Sequence, residues 1–300
     1  MFEFFQSLAS TLTTLFVLTS MFNVGLTQHP ARIAKHLRDW QFLTRMVVAN
    51  FLVVPGVMLL FIIITGIGAP YSTALILFAC AAGAPLLIKL TQESDNDIAA
   101  GATIQMVLMV STVGFLPFLL PRLIDGIEVD VWQIAQPLLL QMILPLALGM
   151  VCHVGVEKLA ATVQPWVAKI SNLALYGLLI FTIIGYLPEM ADVDLWIAII
   201  IGVVVLLIAF YMGYGTGQGN TNHAQLGALG TAQRNTAAAM ITAQSFDDPL
   251  VFVTIALLNT LMMFVLLKLA TRLGNDSAIA FLEPLEADMP GGITRPYAQN

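Results

Sequence analysis

One arginine stands within a stretch of sequence that is otherwise free of charged residues. Arg234 lies in the polar run 231–236, and residues 224–246 contain no other Asp, Glu, Lys or Arg. A guanidinium group carries a permanent positive charge and presents a planar fork that matches a carboxylate or a sulfonate. We therefore predict that Arg234 binds an organic anion, assisted by Thr231, Gln233 and Asn235. The alternative is that Arg234 only ties its own helix to neighbouring backbone carbonyls.

The other residues that could do chemistry do not form a catalytic or metal-binding pattern. The sequence has no His-Glu-x-x-His motif, no aspartate pair within an apolar segment and no Ser–His arrangement at a credible spacing. Cys80 and Cys152 lie in separate apolar segments without metal or redox spacing, so we interpret both as packing residues. We therefore expect a protein that is not an enzyme and that needs no cofactor.

The composition requires a second apolar environment besides a protein core. The 300 residues are 58% hydrophobic and only 10% charged, and the mean hydropathy is +0.88. Soluble domains are about 45–50% apolar and about 25% charged, so the surplus of apolar residues indicates a lipid environment. The net charge of −6 leaves no basic patch for phosphates, which excludes a nucleic-acid partner. The composition thus predicts an integral membrane protein, with the lipid bilayer as its surroundings.

A membrane-spanning helix needs about 20 mostly apolar residues, and the chain contains nine such segments. These candidate spans, numbered in chain order, are about residues 4–27, 41–65, 71–90, 98–120, 132–155, 162–186, 192–213, 223–244 and 249–271. We expect residues 1–272 to form a single all-α transmembrane unit. Residues 273–300 are acidic and contain three prolines, and they are expected to form a flexible cytoplasmic tail.

The basic residues predict the orientation of the chain, because cytoplasmic loops collect Lys and Arg. With nine alternating spans, the N-terminus is expected outside and the C-terminus in the cytoplasm. No basic n-region or cleavage site begins the chain, so we expect no removed signal peptide and a location in a bacterial inner membrane. The cytoplasmic bases are Arg32, Lys35, Arg38, Lys158, Lys169, Lys268 and Arg272; the other face carries Arg122 and the acids Glu3, Asp125, Glu128, Asp130, Glu189, Asp192, Asp194, Asp247 and Asp248.

Two of the candidate spans contain residues that interrupt a helix. Gly83 and Pro85 lie in the third span, and Gly227 and Gly230 lie in the eighth span, just before its polar run. Proline removes a helical hydrogen bond, and glycine weakens the same stretch. Paired interruptions in the two halves of a membrane protein are typical of transporters built from inverted repeats. Kinked structural helices, in a membrane scaffold or sensor without transport, are the alternative.

Six motifs in register resemble the bile acid:sodium symporter family along most of the chain. They are MFNVGLT at 21–27, ANFLVVP at 49–55, CAAGAP at 80–85, LPFLLP at 116–121, LPLALGM at 144–150 and GTAQRNTAAA at 230–239. The resemblance implies a core domain, with the third and eighth spans discontinuous and crossing each other, and a separate panel domain. It also implies that spans 1–4 are inverted relative to spans 6–9, with the fifth span left over.

The same resemblance implies a sodium-coupled mechanism, but this sequence departs from the family at the sodium ligands. Leu86 and Leu87 stand where the family has a Ser-Asn pair, and a leucine or glycine stands at the place of its glutamate. Hard cations require several oxygen ligands. The remaining matches to polar family positions are Asn50, Gln233 and Asn235, which are the candidate ligands of a weak sodium site together with backbone carbonyls.

The sequence therefore predicts a secondary transporter that moves a small organic anion by alternating access. Arg234 is expected to act as a fixed cation that replaces sodium at the helix crossing, and Asn50 and Gln105 are expected to complete its binding site. A sodium symporter that uses Asn50, Gln233 and Asn235 is the second version. Lys89 is interpreted as a residue that snorkels to the interface, with a gate charge as its alternative role. No obligate protein partner is evident.

Overall fold

The computed structural model describes residues 2–124, 131–246 and 248–287, and every regular element in these ranges is helical. The helices are α1 (Phe2–Thr27), α2 (Pro30–His36), α3 (Trp40–Thr65), α4 (Tyr71–Cys80), α5 (Leu86–Glu93), α6 (Ile98–Leu123), α7 (Val131–Gly155), α8 (Glu157–Gly185), α9 (Val193–Gly215), α10 (Thr221–Ala232), α11 (Thr236–Ala243) and α12 (Pro249–Ala287).

Seven of these helices are long and apolar enough to cross a membrane: α1, α3, α6, α7, α8, α9 and α12. They coincide with seven of the nine candidate spans. The predicted all-α membrane protein is confirmed at this level. The remaining two candidate spans, 71–90 and 223–244, correspond to the helix pairs α4–α5 and α10–α11. Residues 125–130 and Asp247, whose acids supported the predicted orientation, lie outside the described residues.

Two of the long helices widen by one π-helical turn just before a proline. The turns cover Ala49–Val53 in α3 and Leu139–Ile143 in α7, and Pro55 and Pro145 follow two residues later. Proline has no N–H to donate, and its ring clashes with the carbonyl four residues earlier in an ordinary helix. A wider turn at this point keeps the helix continuous despite the proline. The α3 turn contains Asn50, one of the predicted site residues.

The chain leaves the helical conformation between α4 and α5, where the sequence places Gly83 and Pro85. Ala81 is extended, and Gly83 has φ +78°, a left-handed conformation that favours glycine. A Cβ atom on Gly83 would lie 2.3 Å from the backbone nitrogen of Met109, so α6 approaches this segment at backbone distance. Pro85 then occupies the position preceding the first residue of α5.

The prediction that Gly227 and Gly230 interrupt the eighth span is wrong, because α10 continues through both glycines and ends at Ala232. The absence of a side chain at both positions instead allows neighbouring residues to approach α10 closely. A Cβ atom on Gly227 would lie 2.4 Å from the carbonyl oxygen of Gly213 in α9. One on Gly230 would lie 2.9 Å from the methyl carbon of Met46. The helix stops at the polar residues that follow, and Asn235 caps α11 by accepting a hydrogen bond from the Ala238 N–H at 3.1 Å.

Three of the long helices, α1, α7 and α8, pack against one another as a group. α1 and α7 approach closely at Gly25 and Gly149, where added Cβ atoms would lie 2.2 Å and 2.4 Å from carbonyl oxygens of the facing helix. α12 does not end at the predicted tail boundary after residue 272 but continues to Ala287. Residues 288–300 of that predicted tail lie outside the described residues.

Candidate functional site

The non-helical segments after α4 and α10 meet in the interior of the protein. Ala82 and Arg234 form an isolated antiparallel β-bridge, and the Asn235 N–H donates to the Ala81 carbonyl at 3.0 Å. The hydroxyl of Thr112 on α6 accepts from the Ala82 N–H and donates to the Ala82 carbonyl, both at 2.8 Å. Backbone groups released from helical bonding are thus satisfied by the opposite segment and by one side chain.

The Arg234 guanidinium is enclosed by oxygen atoms from three helices. The side chain is 2% exposed. It donates to the Ala79 carbonyl at 2.7 Å, to the Thr231 carbonyl at 2.8 Å and to Oδ1 of Asn50. The two carbonyls belong to the last turns of α4 and α10, where carbonyls lack a partner within the helix. The Asn50 amide group donates to the Met46 carbonyl at 2.8 Å, which fixes its oxygen toward the guanidinium.

The structure brings together some predicted site residues and separates others. Arg234, Asn50 and Thr231 form one hydrogen-bonded cluster, and the Asn50 amide also donates to the Thr231 hydroxyl at 3.4 Å. Asn235 donates to the Gly83 carbonyl at 3.3 Å, across the crossing of the two segments. Gln105 is fully buried, and neither of its amide atoms has a hydrogen-bond partner among the described residues.

A cavity of about 280 Å³ lies beside this crossing, between α1 and α8 on one side and α5, α12 and the segment after α10 on the other. Gln233 reaches it directly from the crossing. The Gln233 side chain is 1% exposed, and neither of its amide atoms has a partner in the described part of the chain. Arg234 is not among the lining residues. The polar residues that line the cavity are Ser20, Asn23, Lys89, Ser171, Asn172, Gln233, Thr236 and Asn259.

Most of this lining could not be identified from the sequence. Lys89, which the sequence suggested would snorkel to the interface, is exposed and lines the cavity. Asn23 and Asn172 approach from α1 and α8, which are distant from α5 in sequence. The only indication in the sequence that Lys89 could line the cavity is its spacing. Lys89 follows Leu86 by three residues, so the two side chains lie on the same face of α5. Which face meets the cavity is set by helices elsewhere in the chain.

One polar contact outside the apolar helices has a clear electrostatic effect. The Tyr71 hydroxyl donates to the Asp192 carboxylate at 2.6 Å, and the Asp194 N–H donates to the same carboxylate at 3.0 Å. Both hydrogen bonds favour the ionised acid, so the pKa of Asp192 is lowered, chiefly by the tyrosine. This contact ties the start of α4 to the segment that precedes α9.

The arrangement combines a buried cation with a polar cavity beside it. The described residues contain no cluster of three or more His, Cys, Asp or Glu that could hold a metal ion. The buried cation Arg234 is adjacent in sequence to Gln233, one of the residues that line the cavity beside the crossing. A fixed positive charge next to a polar cavity favours an anion in that cavity.

A family model described as the Sodium Bile acid symporter family matches residues 14–191, which is more than half of the chain. The match includes five of the six motifs on which the resemblance was based, and it ends before the motif at 230–239. No curated protein matches the chain.

Proposed function

The chain belongs to the sodium bile acid symporter family, and on that premise we propose that it is a secondary transporter of a small organic anion. Members of this family are membrane transporters rather than enzymes, as the sequence analysis predicted. In this proposal the positive charge of the transport site is supplied by Arg234, which is a residue of the chain, and not by a mobile sodium ion.

The oxygen atoms around Arg234 are the observation that carries this proposal. A buried sodium ion would require several oxygen ligands. Two carbonyls and the Asn50 amide oxygen converge here, and the guanidinium of Arg234 binds all three. A charge buried in a membrane protein is costly, and such residues commonly serve transport. Its permanent charge would favour an anion in the adjacent cavity, which Arg234 itself does not line.

Alternating access supplies the proposed transport step. In this proposal, the pairs α4–α5 and α10–α11 complete nine spans, arranged as two inverted repeats. α1, α7 and α8 form the panel domain, and the remaining long helices form the core domain around the crossing. The cavity lies between these two groups, and rocking of one group against the other would open it to each side in turn.

A sodium symporter that uses Asn50, Gln233 and Asn235 remains the second candidate, and one observation favours it. The Gln233 amide is buried and has no partner among the described residues, so its oxygen is free to bind an ion. The Asn50 oxygen already binds Arg234, and the Asn235 oxygen caps α11. Sodium would therefore have to compete with hydrogen bonds at two of its three ligands.

Transport by purified protein in liposomes tests the proposal. Uptake of a panel of labelled carboxylates and sulfonates would be measured with a sodium gradient imposed and with the gradient abolished by an ionophore. We expect anion uptake that does not depend on the gradient. Dependence on the gradient would support the sodium symporter instead, and no uptake of any anion would favour a scaffold or sensor.

Two variants test the role of the charge. Arg234→Gln removes it, and Asn50→Asp neutralises it with a carboxylate while the arginine stays in place. We expect both to reduce anion uptake by at least about tenfold, because each removes the net positive charge of a site of low dielectric, Arg234→Gln by deleting the cation and Asn50→Asp by pairing it with an anion. Arg122→Gln is the matched control, since Arg122 is exposed and donates to a carbonyl of its own helix. Undiminished uptake by folded Arg234→Gln protein would contradict the proposal.

A further inference from the structure

The cavity beside the crossing contains a cation of its own. Lys89 is the one charged side chain among the described residues that line this cavity, and no carboxylate lines it. The ion pairs of the described residues join His36 to Asp97 and His223 to Asp39, so Lys89 has no such partner there. Its ammonium group is therefore available to a ligand.

Gln233, the lining residue that belongs to the crossing, has a side-chain amide without a hydrogen-bond partner among the described residues. Gln233 is 1% exposed, and its amide oxygen and nitrogen both lack a partner within the described part of the chain. A buried amide without hydrogen bonds is destabilising, and such groups are rare in folded proteins. A ligand that occupies the cavity could satisfy this amide.

We propose that Lys89 binds the anionic group of the transported substrate and that Gln233 hydrogen-bonds to a polar group beside it. This inference rests on the proposed function and specifies its substrate class: a small monovalent oxyanion, a carboxylate or a sulfonate, with a hydrogen-bonding group near the charge. Arg234 contributes its field but does not contact the substrate.

The hydrogen bonds of Arg234 explain why it leaves this contact to Lys89. Its terminal nitrogens already bind Ala79, Thr231 and Asn50. If the guanidinium turned toward a substrate, two buried carbonyls would lose their partner, which is destabilising. Lysine, in contrast, is a compact charge on a flexible stem and can follow a substrate without breaking structural bonds.

The size of the cavity and the origin of its lining agree with this substrate class. Its volume of about 280 Å³ is close to the lower limit of the roughly 300–1,000 Å³ typical of ligand pockets, which favours a small substrate. Asn23 of α1 and Asn172 of α8 line the same cavity as Lys89 and Gln233. An anion held by Lys89 is therefore in reach of both helix groups that move in the proposed cycle.

A reporter thiol in the cavity measures the charge that Lys89 provides. Asn172→Cys is introduced together with Cys152→Ala, because Cys152 is partly exposed whereas Cys80 is fully buried. Purified protein is treated with an anionic reagent, 2-sulfonatoethyl methanethiosulfonate, or a cationic one, 2-(trimethylammonium)ethyl methanethiosulfonate. We expect Lys89→Gln to lower the anionic-to-cationic rate ratio at least about threefold, and Lys89→Arg to preserve it. Lys268→Gln, the same charge change outside the cavity, should leave the ratio unchanged.

The same thiol reports on binding. Benzoate and benzenesulfonate should slow its modification when Lys89 is present, and neutral benzamide should not. Lys89→Gln should weaken the protection by either anion about tenfold, because a charge-assisted hydrogen bond is lost. A rate ratio that is independent of Lys89, or anions that protect no better than benzamide, would overturn this inference. Such a result would leave anion uptake in liposomes intact, whereas failure of that uptake in the wild type would overturn the proposed function itself.

Discussion

Replacing Thr112 by valine tests how the crossing of the two non-helical segments is held. Thr112 is fully buried, and its hydroxyl is both acceptor and donor for the backbone of Ala82. Valine has nearly the same shape but removes both hydrogen bonds. Each buried backbone group left without a partner costs about 1–3 kcal/mol, so we expect a destabilisation of about 2–6 kcal/mol.

The expected loss is large enough to measure in detergent. For chains of 150–250 residues, 1 kcal/mol shifts Tm by about 2–4 °C, so Thr112→Val should lower the apparent Tm by at least about 4 °C. The measurement is a thermal melt followed by intrinsic fluorescence at one fixed scan rate, because membrane proteins of this size often unfold irreversibly.

Thr182 provides a matched control within the same chain. Thr182 is also buried, at 1% exposure, but its hydroxyl has no hydrogen-bond partner among the described residues. Thr182→Val therefore removes no bond, and we expect a Tm equal to or higher than that of the wild type. If both variants melted within about 1 °C of the wild type, the hydroxyl of Thr112 would not be what satisfies the crossing.

Three further predictions concern the backbone and the acidic face. Gly83→Ala should abolish correct folding, visible as loss of the monodisperse peak in size-exclusion chromatography, because φ is +78° and α6 leaves no room for Cβ. Gly149→Ala should lower Tm by several degrees, because the added Cβ would lie 2.4 Å from a carbonyl oxygen of α1. Gly114→Ala is the control and should not lower Tm, because a Cβ at Gly114 would meet no atom within 4 Å. Tyr71→Phe should lower Tm at neutral pH by removing the hydrogen bond that depresses the pKa of Asp192. The difference in Tm between the variant and the wild type should shrink as the pH falls below 3.8, the ordinary pKa of an aspartate, and then through the lower pKa of Asp192 in the folded protein. Asp192 is then protonated in both proteins, so the hydrogen bond from Tyr71 no longer stabilises a carboxylate.

The long membrane helices could be predicted from the sequence because their signal is local. Seven runs of about twenty apolar residues coincide with seven long helices. The first interruption was also visible, since a proline and a nearby glycine have direct backbone consequences at Gly83 and Pro85. The second interruption was placed too early. Gly227 and Gly230 remain helical because a glycine destabilises a helix by only about 1 kcal/mol. The absence of a side chain at these positions also allows α10 to pack closely against α9 and Met46.

The candidate site was predictable only in part, because its contacts join residues far apart in sequence. The charge of Arg234 and the polar residues next to it are evident from the sequence. Its hydrogen bonds to Ala79 and Asn50 are not, since they span 155 and 184 residues. The choice between the two roles considered for Lys89 could not be made from the sequence for the same reason: whether a lysine reaches lipid headgroups or a cavity depends on what packs opposite its helix.

A cation that is part of the polypeptide has a consequence for the energy of transport. Sodium that enters with an anion cancels its charge, but in the proposed mechanism Arg234, which three oxygen atoms hold in place, would return with the protein. Each cycle would then move one uncompensated negative charge through the membrane potential. At 100 mV, negative inside, this opposes entry by about 2.3 kcal/mol, or roughly fiftyfold in concentration. Without a proton to accompany the anion, such a carrier would run outward unless the anion were more than about fiftyfold more concentrated outside the cell than inside.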